Sequence, residues 1–161
     1  MSADIPQVAA TIPNAPHAPV MLAEVLAALE PRAGGIYVDG TFGAGGYTTA
    51  ILDKAECRAI GIDRDPIIIE RARALEARYA GRLRLAEGRY ADMEALVGDD
   101  GATGVDGIAL DLGVSSMQLD EPERGFSFRH DAPLDMRMEQ SGETAADFVN
   151  SRDEAELARI I

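Results

Sequence analysis

Two short apolar runs, each ending in an acid and joined through a glycine-rich turn, constrain the fold of this chain more than any other feature. The first run ends at Asp39 and enters the turn Gly40-Thr-Phe-Gly-Ala-Gly-Gly, and the second run closes on Asp63. Glycines let a backbone turn approach a ligand closely, where a β-carbon would collide. An acid at the tip of the next parallel strand can accept hydrogen bonds from two ribose hydroxyls. The pattern therefore predicts strand, tight loop, helix and strand around an adenosine-bearing cofactor.

The glycine pattern of the turn distinguishes three kinds of nucleotide-binding site. A dinucleotide fingerprint requires Gly-x-Gly-x-x-Gly, but counting from Gly43 the third position is Gly45 and the sixth is Thr48. A phosphate loop of the Walker type requires Gly-Lys-Ser/Thr after the glycines, and none follows them here. The spelling Asp-Gly-x-x-Gly-x-Gly-Gly suits S-adenosylmethionine, which has no pyrophosphate to bind. For the glycines taken alone, a purely structural turn is the alternative.

The length and charge of the chain limit the classes to which it can belong. Its 161 residues suffice for one substantial core, and its net charge of −13 argues against a free-standing nucleic-acid binder. The single cysteine, Cys57, allows no internal disulfide and is expected to be a small buried residue. Residues 1–16 lack the features of a signal peptide and are predicted to be a flexible leader. No apolar run is long enough for a membrane helix, so we expect a cytoplasmic protein without membrane partners.

Strands and helices alternate along the sequence. Apolar runs predict strands over 36–39, 58–63, 82–86 and 107–111, and helical spacing predicts helices over 19–29, 47–53, 65–79 and 92–97. An acid followed by proline, Asp65-Pro66, is typical of a helix start. The alternation predicts an α/β, Rossmann-like parallel sheet with helices on both faces. In the order 3-2-1-4, the carboxyl ends of strands 1 and 4 flank the crevice in which a ligand binds.

The last third of the chain has a different character. Residues 112–140 show little periodicity, and their aromatic residues and methionines argue against disorder. Residues 144–149 predict a helical turn, and Ser151 with Glu154 spells a capping box that opens another helix. We therefore expect a leader over 1–16, a cofactor-binding domain over 17–140 and the start of a helical insertion over 141–161. On this interpretation the chain is the amino-terminal portion of a longer protein.

Several longer motifs accompany the glycine turn: His17-Ala-Pro-Val, Asp63-Arg-Asp-Pro, Asp111-Leu-Gly-Val-Ser-Ser-Met-Gln-Leu-Asp, Arg124-Gly-Phe-Ser-Phe and Pro133-Leu-Asp-Met-Arg-Met. Together they closely resemble the bacterial 16S rRNA (cytosine-N4)-methyltransferase family over roughly residues 17–161. The resemblance implies a class I methyltransferase sheet and S-adenosylmethionine as the methyl donor. It implies, as acceptor, the exocyclic N4 amine of a cytidine in the decoding region of 16S rRNA. The partner is then 16S rRNA, in the small ribosomal subunit or an assembly intermediate. The oligomeric state stays open, with a dimer among the options.

The resemblance also carries the family's cofactor positions onto this chain, at Asp39, Gly43, Gly45, Gly46, Tyr47, Asp63, Tyr90, Asp111 and Gln118. Asp63 is expected on the ribose and Tyr90 beside the adenine. Asp111 and Gln118 are expected at the methionine or active-site end. The family commonly has histidine where this chain has Tyr47, so no imidazole-specific role is expected there.

The chemistry of the acceptor points to Asp111 as the catalytic residue. A cytosine amine is a poor nucleophile because its lone pair is delocalised into the ring. Methyl transfer therefore needs the amine held in line, and a polar group at the end of strand 4 to accept its N–H. Asp111 occupies that place in the sequence, and capping of local backbone is its alternative role. No metal is expected, because His17, His130 and Cys57 make no ligand set.

Other residues have a structural interpretation beside the functional one. Asp63 is either a helix cap or a ribose ligand, and Asp65 is the better cap. Tyr90 either packs in the core or stacks on adenine. Ser115 and Ser116 lack a partner base and are expected to make loop hydrogen bonds.

The aromatic and basic residues of the 112–140 segment leave two roles open. Phe126 and Phe128 either stack on a flipped-out cytosine or pack under the segment. The arginines either contact RNA phosphate or neutralise local acids: Arg124, Arg129 and Arg137.

Three functional hypotheses follow. The first is the rRNA methyltransferase, represented here by its cofactor half. The second is an enzyme of the same fold that methylates an amine in DNA, protein or a small molecule. The third is a non-catalytic module that binds an adenosine cofactor. We expect the 161-residue chain alone to be cofactor-competent at best and catalytically weak.

Overall fold

The computed structural model of the chain describes residues 19–101 and 104–160. Within these residues, four strands form one sheet, numbered β1 to β4 along the chain: Ile36–Asp39, Arg58–Asp63, Leu83–Glu87 and Gly107–Ala109. Every pairing is parallel, and the spatial order is β3-β2-β1-β4. The predicted parallel sheet and its strand order are therefore confirmed. The leader predicted over residues 1–16, and His17, lie outside the described residues.

The fourth strand is shorter than the sequence predicts. It ends at Ala109, which pairs with Asp39, the last residue of β1. Gly40 then donates its N–H to the Ala109 carbonyl at 3.0 Å. Because β1 has ended, no backbone ladder remains for the residues that follow. Asp111 therefore lies two residues beyond the strand, and the prediction that β4 reaches it is wrong.

Eight α-helices occur in the described part of the chain, numbered α1 to α8: Leu22–Leu29, Gly46–Lys54, Pro66–Arg71, Arg73–Arg78, Met93–Val97, Ser116–Asp120, Ala145–Ser151 and Glu154–Ile160. The helix predicted over 65–79 is divided into α3 and α4 at Ala72. Asp65 caps α3 as predicted, because its carboxylate accepts the Ile67 N–H at 3.0 Å while Pro66 takes the first helical position.

The strands alternate their side chains between two apolar clusters, one on each face of the sheet. Tyr37 faces the cluster built with α1 to α4, whereas Val38 faces the cluster built with α5. Helices therefore cover both faces, as predicted. Cys57 is buried in the first cluster, which confirms the structural interpretation of this thiol.

The helix caps in the last part of the chain differ from the prediction. Ser151 ends α7 and does not open α8. The Glu156 N–H instead binds the Asp153 carboxylate at 2.8 Å. A capping box does occur at the start of α7, between Thr144 and Asp147. The assignment of 141–161 to a helical insertion stays a prediction. Among the described residues, no helix has the length and apolar character needed to cross a membrane.

Candidate functional site

The glycine turn after β1 is tied directly to the end of β2. The Gly43 N–H donates to one carboxylate oxygen of Asp63 at 2.8 Å, and the Asp65 N–H donates to the other at 2.9 Å. Asp63 is partly exposed, and each carboxylate oxygen has a second lone pair available for a ligand. Burial raises the pKa of Asp63. The structure thus brings Gly43 and Asp63 together and leaves the acid able to accept further hydrogen bonds.

The loops after β1, β3 and β4 meet at Gly40. A β-carbon there would lie 2.6 Å from the Leu110 side chain and 3.2 Å from the Tyr90 β-carbon. Glycine is therefore required for this approach. Tyr90 is 47% exposed. The interpretation of Tyr90 as a core residue is wrong, and its ring lies at the surface beside Gly40.

The remaining glycines of the turn have local reasons to be glycine. Gly45 has φ 75° and directly precedes α2, and no side chain caps the N–H groups at that end of the helix. At Gly46, a β-carbon would lie 2.3 Å from the Pro19 ring. The turn therefore leaves the amino end of α2 without a side-chain cap, next to the carboxyl ends of β1 and β2.

Asp39 lies beneath the turn and is not presented to the surface. Its carboxylate is 1% exposed and accepts the Thr48 hydroxyl at 2.8 Å and the Thr41 N–H at 3.3 Å. These contacts give Asp39 a role in shaping the loop rather than in touching a ligand. The sequence analysis missed both threonines. An aspartate side chain in a turn commonly accepts the backbone N–H of the residue two positions later, and this pattern could have identified Thr41.

The burial of Asp39 has a consequence for stability. Burial raises the pKa of Asp39 from 3.8 to about 6. The folded state therefore binds a proton on Asp39 more tightly than the unfolded state does. The resulting contribution to the free energy of unfolding is fully present below pH 3.8 and is lost as the pH rises through 6. A shift of this size corresponds to about 3 kcal/mol. Asp63 shifts in the same direction and adds to the trend.

We expect the wild-type chain to unfold at higher urea concentration at pH 5 than at pH 7.5. The Asp39→Asn variant, which cannot ionise there, should show a smaller difference between the two pH values. Urea titrations followed by circular dichroism measure both midpoints. Equal pH dependence in the two proteins would contradict a raised pKa at Asp39.

Asp111 is exposed and its backbone is held by the turn. Its N–H donates to the Thr41 hydroxyl at 2.7 Å. The Asp111 side chain is exposed, because β4 ends two residues before it. The side chain of Tyr47 is buried, and its hydroxyl donates to the Val20 carbonyl at 2.6 Å. Burial, followed by the charges of Asp111 and Asp39, raises the pKa of Tyr47.

Gln118 lies inside the protein, against the loop after β2. Its side-chain oxygen accepts the Ser115 N–H at 2.9 Å, and its side-chain nitrogen is 3.4 Å from the Asp65 carboxylate. Ser115 accepts the Gln118 N–H in return and so caps α6, as expected of a loop hydrogen bond. Both ends of the Gln118 amide are engaged, so a direct cofactor contact would require one of these bonds to be exchanged.

The basic and aromatic residues of the 112–140 segment divide between structural and exposed positions. Arg124 is buried and pairs with Asp65 at 2.8 Å. Arg137 pairs with Asp135 at 2.6 Å, so both arginines neutralise acids. Phe128 is 100% exposed, and the interpretation that it packs under the segment is wrong.

Metal ligands are not grouped at this site. Within residues 19–101 and 104–160, no three histidine, cysteine, aspartate or glutamate side chains lie together in a way that could hold a metal ion. The polar groups that meet at the strand ends are carboxylates, hydroxyls and backbone N–H groups. They can bind hydroxyl and amine groups of an organic ligand.

Comparison with known proteins gives close relatives. The chain is 64% identical over 146 residues to a protein named "Ribosomal RNA small subunit methyltransferase H" from Parvibaculum lavamentivorans, covering 91% of this chain and 43% of that protein. It is 61% identical to the protein of the same name from Rhodospirillum rubrum, covering 91% of this chain and 45% of that protein. The chain therefore spans less than half the length of these two relatives.

A solved structure and a family profile also match. The structure is a SAM-dependent methyltransferase from Thiobacillus denitrificans in complex with S-adenosyl-L-homocysteine, with TM-score 0.46 and 28% identity, covering 69% of this chain and 45% of that one. The profile described as the MraW methylase family matches residues 14–161. Because this match runs through the glycine turn, the strand ends around it and the whole 112–140 segment, the chain belongs to the MraW methylase family.

Proposed function

We propose that the protein containing this chain transfers a methyl group from S-adenosylmethionine to the N4 amine of a cytidine in the decoding region of 16S rRNA. The observation that carries the proposal is the meeting of Asp63, Gly43 and the turn at one edge of the sheet. The names of the relatives from Parvibaculum lavamentivorans and Rhodospirillum rubrum support the substrate class.

The chain's own residues fit the cofactor in size and chemistry. Asp63 retains lone pairs for the two ribose hydroxyls, and Tyr90 offers a half-exposed ring for the adenine. The backbone N–H groups at the amino end of α2, where no side chain caps the helix, are available for the methionine carboxylate. When bound, the cofactor supplies an electrophilic methyl group on a sulfonium.

Asp111 would act on the acceptor amine. Its exposed carboxylate can accept an N–H of the cytosine amine, which restores electron density to the nitrogen as it attacks. Thr41 fixes the backbone of Asp111 through its hydroxyl. Most of the acceleration would come from holding the amine in line, for which well-oriented groups can contribute about 7–11 kcal/mol. Gln118 is proposed to contribute through the loop that it supports.

The RNA partner fits the exposed part of the 112–140 segment. Phe128 is fully exposed beside Arg129, an arrangement that suits stacking on an unpaired base and contact with phosphate. The charge of −13 leaves most RNA contacts to the part of the protein outside this chain. A substrate of this kind supports a cytoplasmic location for the protein.

The test is methyl incorporation by the full-length protein. Labelled S-adenosylmethionine is supplied with small subunits, or their assembly intermediates, that lack the modification. We expect label in 16S rRNA and N4-methylcytidine on nucleoside digestion. Label only in DNA, protein or a small molecule would favour another substrate of the same fold. Cofactor binding without any label would favour a non-catalytic module.

A further inference from the structure

One carboxylate, that of Glu139, joins the two loops that would hold the nucleoside. Arg89 donates to both of its oxygens, at 2.7 and 3.3 Å. Arg64 pairs with it at 2.5 Å. Hydrogen bonds from Arg89, joined by those of Arg64, lower the pKa of Glu139, so the bridge is charged at neutral pH.

The two arginines of this bridge are sequence neighbours of the two residues proposed to contact the nucleoside. Arg64 directly follows Asp63 at the end of β2, and Arg89 directly precedes Tyr90 after β3. Each proposed nucleoside contact therefore has, as its immediate neighbour, an arginine that binds the same carboxylate. The separation of the two loops is set in part by a residue that belongs to neither of them.

Glu139 is itself held in place by a second anchor. Arg124 pairs with the buried Asp65 at 2.8 Å and donates to the carbonyls of Arg137 and Met138 at 3.0 and 3.2 Å. The backbone just before Glu139 is thus fixed to the start of α3. The carboxylate can therefore orient the loops after β2 and β3 rather than merely follow them.

We infer that Glu139 is a positioning residue for the nucleoside half of the cofactor. It holds the loops after β2 and β3 at the separation at which Asp63 and Tyr90 contact ribose and adenine together. The inference rests on the proposed function. It predicts an effect on cofactor affinity that depends on ionic strength, because the bridge consists of partly exposed ion pairs.

The experiment compares Glu139→Gln with wild type by calorimetry, using S-adenosylhomocysteine and 5′-methylthioadenosine as ligands. At low ionic strength we expect the variant to bind both ligands about fivefold more weakly. The loss should be the same for the two ligands, because both carry the nucleoside and only one carries the amino acid. At high ionic strength the wild-type affinity should approach that of the variant.

The matched control is Glu143→Gln, which removes the same charge from an ion pair with Arg152 and should leave both affinities unchanged. The Glu139→Gln substitution changes neither member of the Arg124–Asp65 pair, and thermal melting checks that the variant is folded. If Glu139→Gln does not fold, Arg89→Gln is used in its place, because it removes one side of the bridge at an exposed position. This variant should bind both ligands more weakly than wild type does.

Four outcomes overturn the inference. Equal affinity of wild type and Glu139→Gln at low ionic strength would do so while leaving the proposed function standing. A loss confined to S-adenosylhomocysteine, or one insensitive to salt, would place the effect elsewhere than the nucleoside loops. Absence of binding by wild type would overturn the proposed function as well.

Discussion

Replacing Asp63 with alanine is expected to raise the Kd for S-adenosylhomocysteine by about 100-fold. The substitution removes the acceptor for two ribose hydroxyls, and hydrogen bonds to a charged group contribute about 1.5–3 kcal/mol each. It also removes the acceptor of the Gly43 N–H, so the turn loses its tie to β2. Isothermal titration calorimetry measures the change, and circular dichroism checks that the variant is folded.

Two further substitutions sharpen this test. Asp63→Asn keeps one carbonyl acceptor in the same place and should give an intermediate loss. Asp120→Ala removes an exposed acid at the end of α6 and should bind as wild type does. An Asp63→Ala variant that is folded and binds with wild-type affinity would remove Asp63 from the cofactor site.

The Asp111→Asn substitution in the full-length protein is expected to lower kcat for methyl transfer by about 100- to 1,000-fold, because a proton-accepting group typically contributes about 10²- to 10⁴-fold. The amide keeps the shape of the side chain and leaves the backbone bond to Thr41 intact. The affinity for S-adenosylhomocysteine should therefore change little. Label incorporation into small subunits under single-turnover conditions measures the rate.

The control for this prediction is Asp131→Asn, which alters an exposed acid of the same segment and should leave kcat unchanged. Loss of affinity for the cofactor without loss of kcat would assign Asp111 to binding alone. An unchanged rate in Asp111→Asn would remove the proposed proton-accepting role.

The order of the elements could be predicted from local sequence. Apolar runs fixed the four strands because buried parallel strands are continuously apolar. Asp65 and Pro66 predicted the start of α3 because a capping acid and a fixed φ act over one helical turn. The end of β4 could not be predicted this way, because it depends on where β1 ends in another part of the chain.

The environments of the site residues could not be predicted either. Asp39 and Asp111 each end an apolar run, yet Asp39 is buried and accepts a hydrogen bond from Thr48, whereas Asp111 is exposed. Gln118 contacts the Asp65 carboxylate, a partner that no pattern in the sequence identifies. Side-chain surroundings of this kind depend on which distant segment packs against each strand end.

The sequence by itself determined the alternation of strands and helices, the glycine turn and the acid at the end of β2, because these follow from local apolar runs and backbone preference. Only the tertiary structure decided that the 112–140 segment returns to the strand ends and that Glu139 joins Arg64 to Arg89. The physical reason is that an ion pair between distant segments leaves no periodic pattern in the sequence from which the partner could be identified. Its partner is whichever opposite charge the packed chain brings within reach.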